Sequence, residues 1–387
     1  MNNINKVKLK CVGCRSCEQS CPKKCISMVT NNEGFLYPRI NEDLCVNCGR
    51  CLKVCPTENV ELHRSEPIEE WAWKSKNEED VMNSASGGAS DCAVKTILNL
   101  DGIVYGAAYD KNFNVNHIEV TTDEERKEIQ SSKYVQSNLN DCYSKAKEHL
   151  LNGKKVLFTG TPCQIAGLYS FLGKEYENLY TIDIICHGVP SPKLFEKYIK
   201  WQGEKMGGEV IYYNFRSKLD KGWGTQYYLK TKTKTKTNAV ALDKYGKHFL
   251  DGDCYRESCY QCPYANTKRV GDLTVGDFWG IDQTYSEFFS KKGVSCIMVN
   301  TKKGKELFTQ MNELGITQRV TLDDVLIKQG NLVKPTVRPA SRDTFYTNID
   351  KDDFMDNLKV GLELKERIKS VIPENALRLL KKMGGGK

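Results

Sequence analysis

Long apolar runs are missing from this 387-residue chain: no stretch approaches the ~18 uninterrupted apolar residues of a membrane span, so no transmembrane segment is expected. The opening residues, MNNINKVKLK, carry charge but no apolar core, which argues against a signal peptide or a transit sequence of the usual kind. Proline is sparse, at 11, while apolar residues reach 40%, so the chain can bury a sizeable core. Nucleic-acid reading motifs are also missing. The formal charge of +8 could point to such a partner, but no helix-turn-helix or zinc finger accompanies it and the basic residues are scattered. The run KTKTKTKT, Lys230 to Thr237, is polar on both faces and has no interleaved aromatics, so it reads as an exposed hairpin strand or loop. No nucleic-acid partner is expected.

Cysteine is abundant, with 17 residues and no export signal. That combination argues for a reducing compartment, the cytoplasm fitting best, where thiols persist as metal ligands. Eight of them repeat one spacing. C-x2-C-x2-C-x3-C-P occurs at Cys11, Cys14, Cys17, Cys21 and again at Cys45, Cys48, Cys51, Cys55, each followed by proline. In two-cluster ferredoxins the fourth cysteine of each run reaches to the other cluster. Cys11, Cys14, Cys17 and Cys55 are therefore expected to hold one 4Fe-4S cluster, and Cys45, Cys48, Cys51 and Cys21 the second. A zinc knuckle would leave four regularly placed thiolates unexplained.

The pattern of elements predicts a mixed α/β fold: a bacterial ferredoxin-like domain over residues 1–60, a domain over 70–150 that continues through 151–335, and a polar, basic tail over 336–387. The strands WAWKSK, IVYGAAYD and VNHIEV, a helix after Gly88, and a helix capped at TTDEERKEIQ build the first part. KKVLFTG, the helix in GTPCQIAGLYSFL and the strand LYTIDIICHG then give a parallel strand-helix-strand unit, hence a partly parallel sheet. Ligands collect beyond the carboxyl ends of such strands, where Thr161, Pro162, Cys163, Cys186 and His187 lie. The closing stretch RIKSVIPENALRLLKKMGGGK reads as a surface or partner-docking helix.

Nine cysteines remain. Cys259 and Cys262 form a lone C-x2-C, and Cys163 and Cys186 end consecutive strands that a parallel sheet brings together. These four are expected to hold a third 4Fe-4S cluster; a zinc site or unligated core cysteines are the alternatives, and Cys254 is the spare ligand. Cys25, Cys92, Cys142 and Cys296 are expected to be packing residues. Ser84, Ser86, Gly87 and Gly88 precede a helix, where free N–H groups attract phosphate, although a plain N-cap reads the same way.

Several stretches in order, SASGG, SKYVQS, VLFTGTPCQIAGL, TIDIICHGVPSP, FRSK with GW, and RESCYQC followed by GDLTVGDFWGI, resemble the coenzyme F420 (deazaflavin) hydrogenase/dehydrogenase beta-subunit family over roughly residues 70 to 300. The chain looks like a bacterial member with a ferredoxin fused at its front. The resemblance implies a flavin-binding α/β domain with FAD, 4Fe-4S centres, and electron transfer between them and a hydride carrier. By position it implies that Ser84, Ser86, Gly87, Gly88, Lys133, Tyr134, Gln136, Ser137, Gly160, Thr161 and Pro162 approach FAD, with Asp277 and Trp279 closing the site. His187 and Arg216 would serve substrate protonation and anion contact. Expected partners are a redox protein or ferredoxin and a small-molecule hydride acceptor or donor. A reductase of a glycan precursor, an F420 oxidoreductase and a non-catalytic electron-transfer protein within a larger redox complex are the three functions in view.

Overall fold

The computed structural model describes residues 3–61 and 64–361. Strand-forming runs produce thirteen strands among them. β1 (Ile26–Thr30) and β2 (Leu36–Ile40) form a hairpin within the cysteine-rich first 60 residues. Then come β3 (Glu69–Ser75), β4 (Ile103–Tyr109), β5 (Val115–Val120), β6 (Val156–Gly160), β7 (Leu179–Ile184), β8 (Val210–Asn214), β9 (Gln226–Thr231), β10 (Thr235–Ala239), β11 (Leu273–Asp277), β12 (Ser295–Val299) and β13 (Gly315–Val320).

Eight of these form one sheet in the order β13-β3-β12-β11-β7-β6-β4-β5. The centre, β4, β6, β7 and β11, is parallel, and the remaining strands add antiparallel. This is the mixed α/β architecture with a partly parallel sheet that the sequence predicts. Apolar runs make it so: a strand covered on both faces needs no polar alternation, and β12 is buried at all five positions. The helices Ala89–Leu98 and Lys302–Met311 cover one face, meeting Leu157 and Ile182. The helices Cys142–Leu151 and Pro162–Leu172 cover the other, meeting Phe158 and Leu179. Pro162–Leu172 starts where it does because Thr161 and Gln164 form a capping box and Pro162 needs no hydrogen-bond partner in the first turn.

A second sheet, β10-β9-β8, closes with the helix Pro192–Met206 over an aromatic core that includes Phe195, Tyr198, Tyr213 and Tyr245. The Lys/Thr run forms the hairpin of β9 and β10, with Lys230 opposite Thr235. Thr231 is buried, so one side of that run faces protein. Beyond residue 335 the chain is less uniformly polar in space than in sequence: Phe345, Tyr346, Phe354 and Met355 pack into the same aromatic core. Nearby, Arg342 clamps the Glu33 carboxylate of the ferredoxin-like region with two bonds of 2.8 and 2.7 Å. The basic stretch from Arg367 onward lies outside the described residues. No helix among the described residues is long and apolar enough to cross a membrane.

Candidate functional site

Each cysteine run winds a short turn of helix around its thiols, Ser16–Gln19 in the first and Arg50–Lys53 in the second. Cys11, Cys14, Cys17 and Cys55 converge in a buried corner. Burial pushes the Cys14 thiol up to about 12, and the thiols of Cys55 and Cys11 add to the effect. Four thiolates so placed need positive iron between them to be stable. Cys21, Cys45, Cys48 and Cys51 line a separate recess, where Cys48 is exposed. Cys25 lines that recess too, with its Sγ 3.4 Å from that of Cys21. It is buried as a packing residue should be, but the turn after Cys21 returns it to the thiols.

The third group forms at the carboxyl ends of β6 and β7. Cys163 stands in the first turn of Pro162–Leu172 and Cys186 just past β7, while a 3-10 turn, Glu257–Gln261, carries Cys259 and leads to Cys262. All four line one cavity of about 320 Å³. Burial raises Cys186 well above the ordinary thiol value, and the Cys259, Cys163 and Cys262 thiols raise it further. Burial likewise pushes Cys163 up to about 11 and Cys259 up to about 12, each also raised by Cys262. The donor set therefore fits a cationic cluster. Cys254 is buried in the aromatic core and does not line the cavity.

Two contacts tie this corner to the buried ferredoxin quartet. Gly167 lies one helical turn, about 6 Å, beyond Cys163, and a Cβ there would stand 2.9 Å from Cys14 Cβ and 3.0 Å from its Sγ. Ser16 Oγ donates to the Gly167 carbonyl at 2.7 Å. The second contact is Arg256, fully buried and without a carboxylate partner among the described residues. It donates from Nε to Cys11 O at 2.7 Å and from its terminal nitrogens to Gln136 Oε1 at 3.0 Å and Leu36 O at 2.8 Å, with Tyr37 stacked 4.1 Å away. Its charge also favours the thiolates of Cys163 and Cys259.

The rest of the cavity wall comes from the turns that the sequence singles out. Ser84, Ser86 and Gly88 line it at the start of Ala89–Leu98. Gly88 is left-handed, with φ of 89°, and no side chain among the described residues caps this helix, so its first-turn N–H groups face the cavity unclaimed by a cap. Gly87 does not line the cavity. A Cβ on it would sit 2.2 Å from Trp73 O and 2.6 Å from Ser295 N, so it is glycine because the strands β3 and β12 crowd it. Gly160, Thr161 and Pro162 line the wall, but the Thr161 cap already uses a first-turn N–H of its helix.

Lys133, Tyr134, Gln136 and Ser137 line it as well. Burial pulls Lys133 down to about 7, and its Nζ donates to the carbonyls of Glu128 and Gln130. Ser137 Oγ donates to His117 Nδ1 at 3.0 Å and accepts from Gln164 Nε2 at 2.9 Å. His117 Nε2 donates to Thr159 O at 2.9 Å, which fixes the tautomer. Gln136 Nε2 donates to Val12 O at 3.0 Å, so this residue binds both the ferredoxin-like region and Arg256.

Asp277, Trp279 and His187 line the cavity. Burial depresses the His187 imidazole below its ordinary value, and Arg216 acts in the same direction against Asp277. Arg216 is not in the lining. Its five N–H donors go to Gly224 O, Tyr134 Oη, Ala85 O and, in a fork of 2.7 and 2.8 Å, both oxygens of Asp277. The expected anion contact therefore has no donor to offer; Arg216 instead holds Asp277 from behind. Trp223 completes that arrangement, donating to Asp277 Oδ1 at 2.7 Å and stacking on Trp279 at 4.7 Å. Arg256, His117 and Gln164 were not among the residues expected from sequence. Arg256 lies inside RESCYQC, so the motif marked the place without the role.

Residues 153–325 match the family described as the C terminus of the coenzyme F420 hydrogenase/dehydrogenase beta subunit, and residues 10–59 and 37–96 match 4Fe-4S dicluster domains. The N-terminal part is 31% identical over 52 residues to the ferredoxin-type protein NapF of Haemophilus influenzae, covering 13% of this chain and 30% of that one. It is 35% identical over 78 residues to a ferredoxin of Saccharopolyspora erythraea, covering 20% and 68%. The chain thus spans less than a third of the first relative's length. A chain of the F420-reducing [NiFe] hydrogenase complex from Methanosarcina barkeri aligns with a TM-score of 0.49 at 17% identity, over 74% of this chain and 94% of that one.

Proposed function

Because this chain belongs to the coenzyme F420 hydrogenase/dehydrogenase beta-subunit family and carries a 4Fe-4S dicluster domain ahead of it, we propose that it is an iron-sulfur flavoprotein oxidoreductase of the cytoplasm. Single electrons arrive at the exposed Cys21, Cys45, Cys48, Cys51 site from a redox partner protein and pass to the buried Cys11, Cys14, Cys17, Cys55 site. Cys163, Cys186, Cys259 and Cys262 would hold a third cluster, which would supply the electron link to the cavity. The observation that carries this reading is the contact of Cys14 with Gly167, one turn from Cys163. FAD, when bound, supplies the exchange between one-electron and two-electron chemistry.

This chain's own residues prepare the cavity for it. The uncapped N–H groups after Gly88 bind a phosphate, and Ser84 and Ser86 flank them. The His117, Ser137 and Gln164 network fixes the wall beside the Thr161 turn. Arg216 and Trp223 hold the Asp277 side chain in place and aim it, with Trp279, into the cavity. His187, at the mouth of the thiol corner, keeps the role of passing a proton to substrate. The acceptor is a small molecule; a glycan precursor is the expectation from the bacterial resemblance, and the family description favours F420 as the second reading.

Anaerobic purification followed by iron, sulfide and flavin quantification tests the proposal. Iron for three clusters together with FAD is the expected result. Clusters without flavin would leave a non-catalytic electron-transfer protein in its place. Reduced F420 added to the purified protein separates the two acceptors: bleaching of the clusters and flavin region is expected only if F420 is the physiological hydride carrier.

A further inference from the structure

The cysteine spacing of the first 60 residues is duplicated, and one difference between the two runs concerns a thiol. Four residues after the crossing cysteine the first run has Cys25, in Cys21-Pro22-Lys23-Lys24-Cys25, and the second has Asn59, in Cys55-Pro56-Thr57-Glu58-Asn59. Asn59 Nδ2 donates to the carbonyls of Leu52, Lys53 and Cys55, closing the end of the helical turn before it. Cys25 does something else. It is buried, its Sγ lies 3.4 Å from that of Cys21, and it shares the recess of Cys21, Cys45, Cys48 and Cys51. The buried cluster site therefore has four thiols and the surface site has five. Cys48 is exposed, so the site with the spare thiol is the one that solvent reaches.

The two neighbouring sulfurs are anchored differently. Cys25 leads directly into β1, and its carbonyl accepts from Asn41 N at 2.8 Å, next to the strand pairing of Ile26 with Ile40. Cys21 stands in a tight turn, outside regular structure and partly exposed. An exchange between them needs a sulfur to move by no more than the distance that already separates the pair.

We propose that Cys25 is a reserve ligand of the surface 4Fe-4S cluster, able to take the iron vertex that Cys21 holds. In the exchange one Fe–S bond breaks at Cys21 and one forms at Cys25, and the Cys25 thiol proton moves to the Cys21 sulfur along their contact. No electron and no further reactant is involved. The proposal rests on the reading of these cysteines as cluster ligands, and it gives the exposed cluster a second way to stay bound.

The test uses the full chain, reconstituted anaerobically, with iron and sulfide content and the electron paramagnetic resonance of the reduced protein as readouts. Cys21→Ala and Cys25→Ala should each keep the wild-type iron content, and Cys21→Ala should show an altered surface-cluster signal. The double variant should lose one cluster. Cys48→Ala, which removes a ligand of the same site other than the one Cys25 stands beside, should lose it alone. If Cys21→Ala loses as much iron as the double variant, or if the double variant loses none, the proposal is overturned while the cluster reading stands. Wild-type protein without iron would instead overturn the cluster reading. Insolubility of both Cys21→Ala and Cys21→Ser beside soluble Cys25→Ala also counts against the proposal, because a working replacement spares the fold.

Discussion

Replacing Arg256 with methionine keeps most of the side chain's length and removes every donor. Three acceptors, the buried Cys11 O and Gln136 Oε1 and the partly buried Leu36 O, then lose their partner. Hydrogen bonds from a charged group contribute about 1.5–3 kcal/mol each, and a buried acceptor left bare costs about 1–3 kcal/mol. Removing the cation also removes its own desolvation cost, so the sum is not simply additive. A net loss of about 3–5 kcal/mol follows, the lower part of the combined cost of three acceptors left bare. Anaerobic urea unfolding of the loaded protein, followed by circular dichroism, reads this directly. Arg256→Lys separates charge from geometry, since an ammonium cannot reach three acceptors in a fork. It should lose most of the stability yet keep the potential of the neighbouring clusters closer to wild type than Arg256→Met, whose clusters become harder to reduce. Methionine and lysine variants both within about 1 kcal/mol of wild type, with unmoved potentials, would refute the role given to this residue.

Cys259→Ser is expected to remove one cluster and spare the other two, read as iron content per chain; loss of none would remove the third cluster from the scheme. His117 is held neutral, with burial lowering it from 6.5 to about 4. Across that window the unfolded chain binds a proton that the folded chain refuses, so stability falls as pH falls, by about 3 kcal/mol at the lower end. His117→Gln should flatten this part of the stability profile measured by urea unfolding between pH 7 and 4.5, and an unchanged slope would contradict it. Gly87→Ala should lower stability by about 2 kcal/mol or more, since the added Cβ meets two backbones; a midpoint equal to wild type would show that β3 and β12 yield freely.

What could be read from the sequence follows how local each signal is. The eight ferredoxin cysteines announce themselves because their spacing is short, and the parallel sheet does so because apolar strands and capped helices alternate. Cys163 and Cys186 could be joined on paper because strand ends of a parallel sheet share one edge. Arg216 could not be read correctly: its charge is visible in FRSK, but the carboxylate that absorbs it is 61 residues away. The same holds for Gly87, whose neighbours Trp73 and Ser295 come from two other strands. Cys25 looks like any isolated cysteine until the turn at Pro22 brings it back beside Cys21. Phe345, Tyr346 and Phe354 are isolated from other apolar runs by a polar stretch, and only the aromatic core shows what they are for.

The clamp of Arg342 on Glu33 spans 309 residues, and Arg256 reaches back 245 to Cys11. A ribosome adding about 5–20 residues per second takes about 15–60 s to cover the longer interval. During that time the ferredoxin-like region is already outside the ribosome while the arginines that fasten it have not been made. The walls that bury these cysteines are thus completed well after the cysteines themselves. The last cysteine of the surface site is made at residue 51, that of the buried site at 55, and that of the cavity corner only at 262.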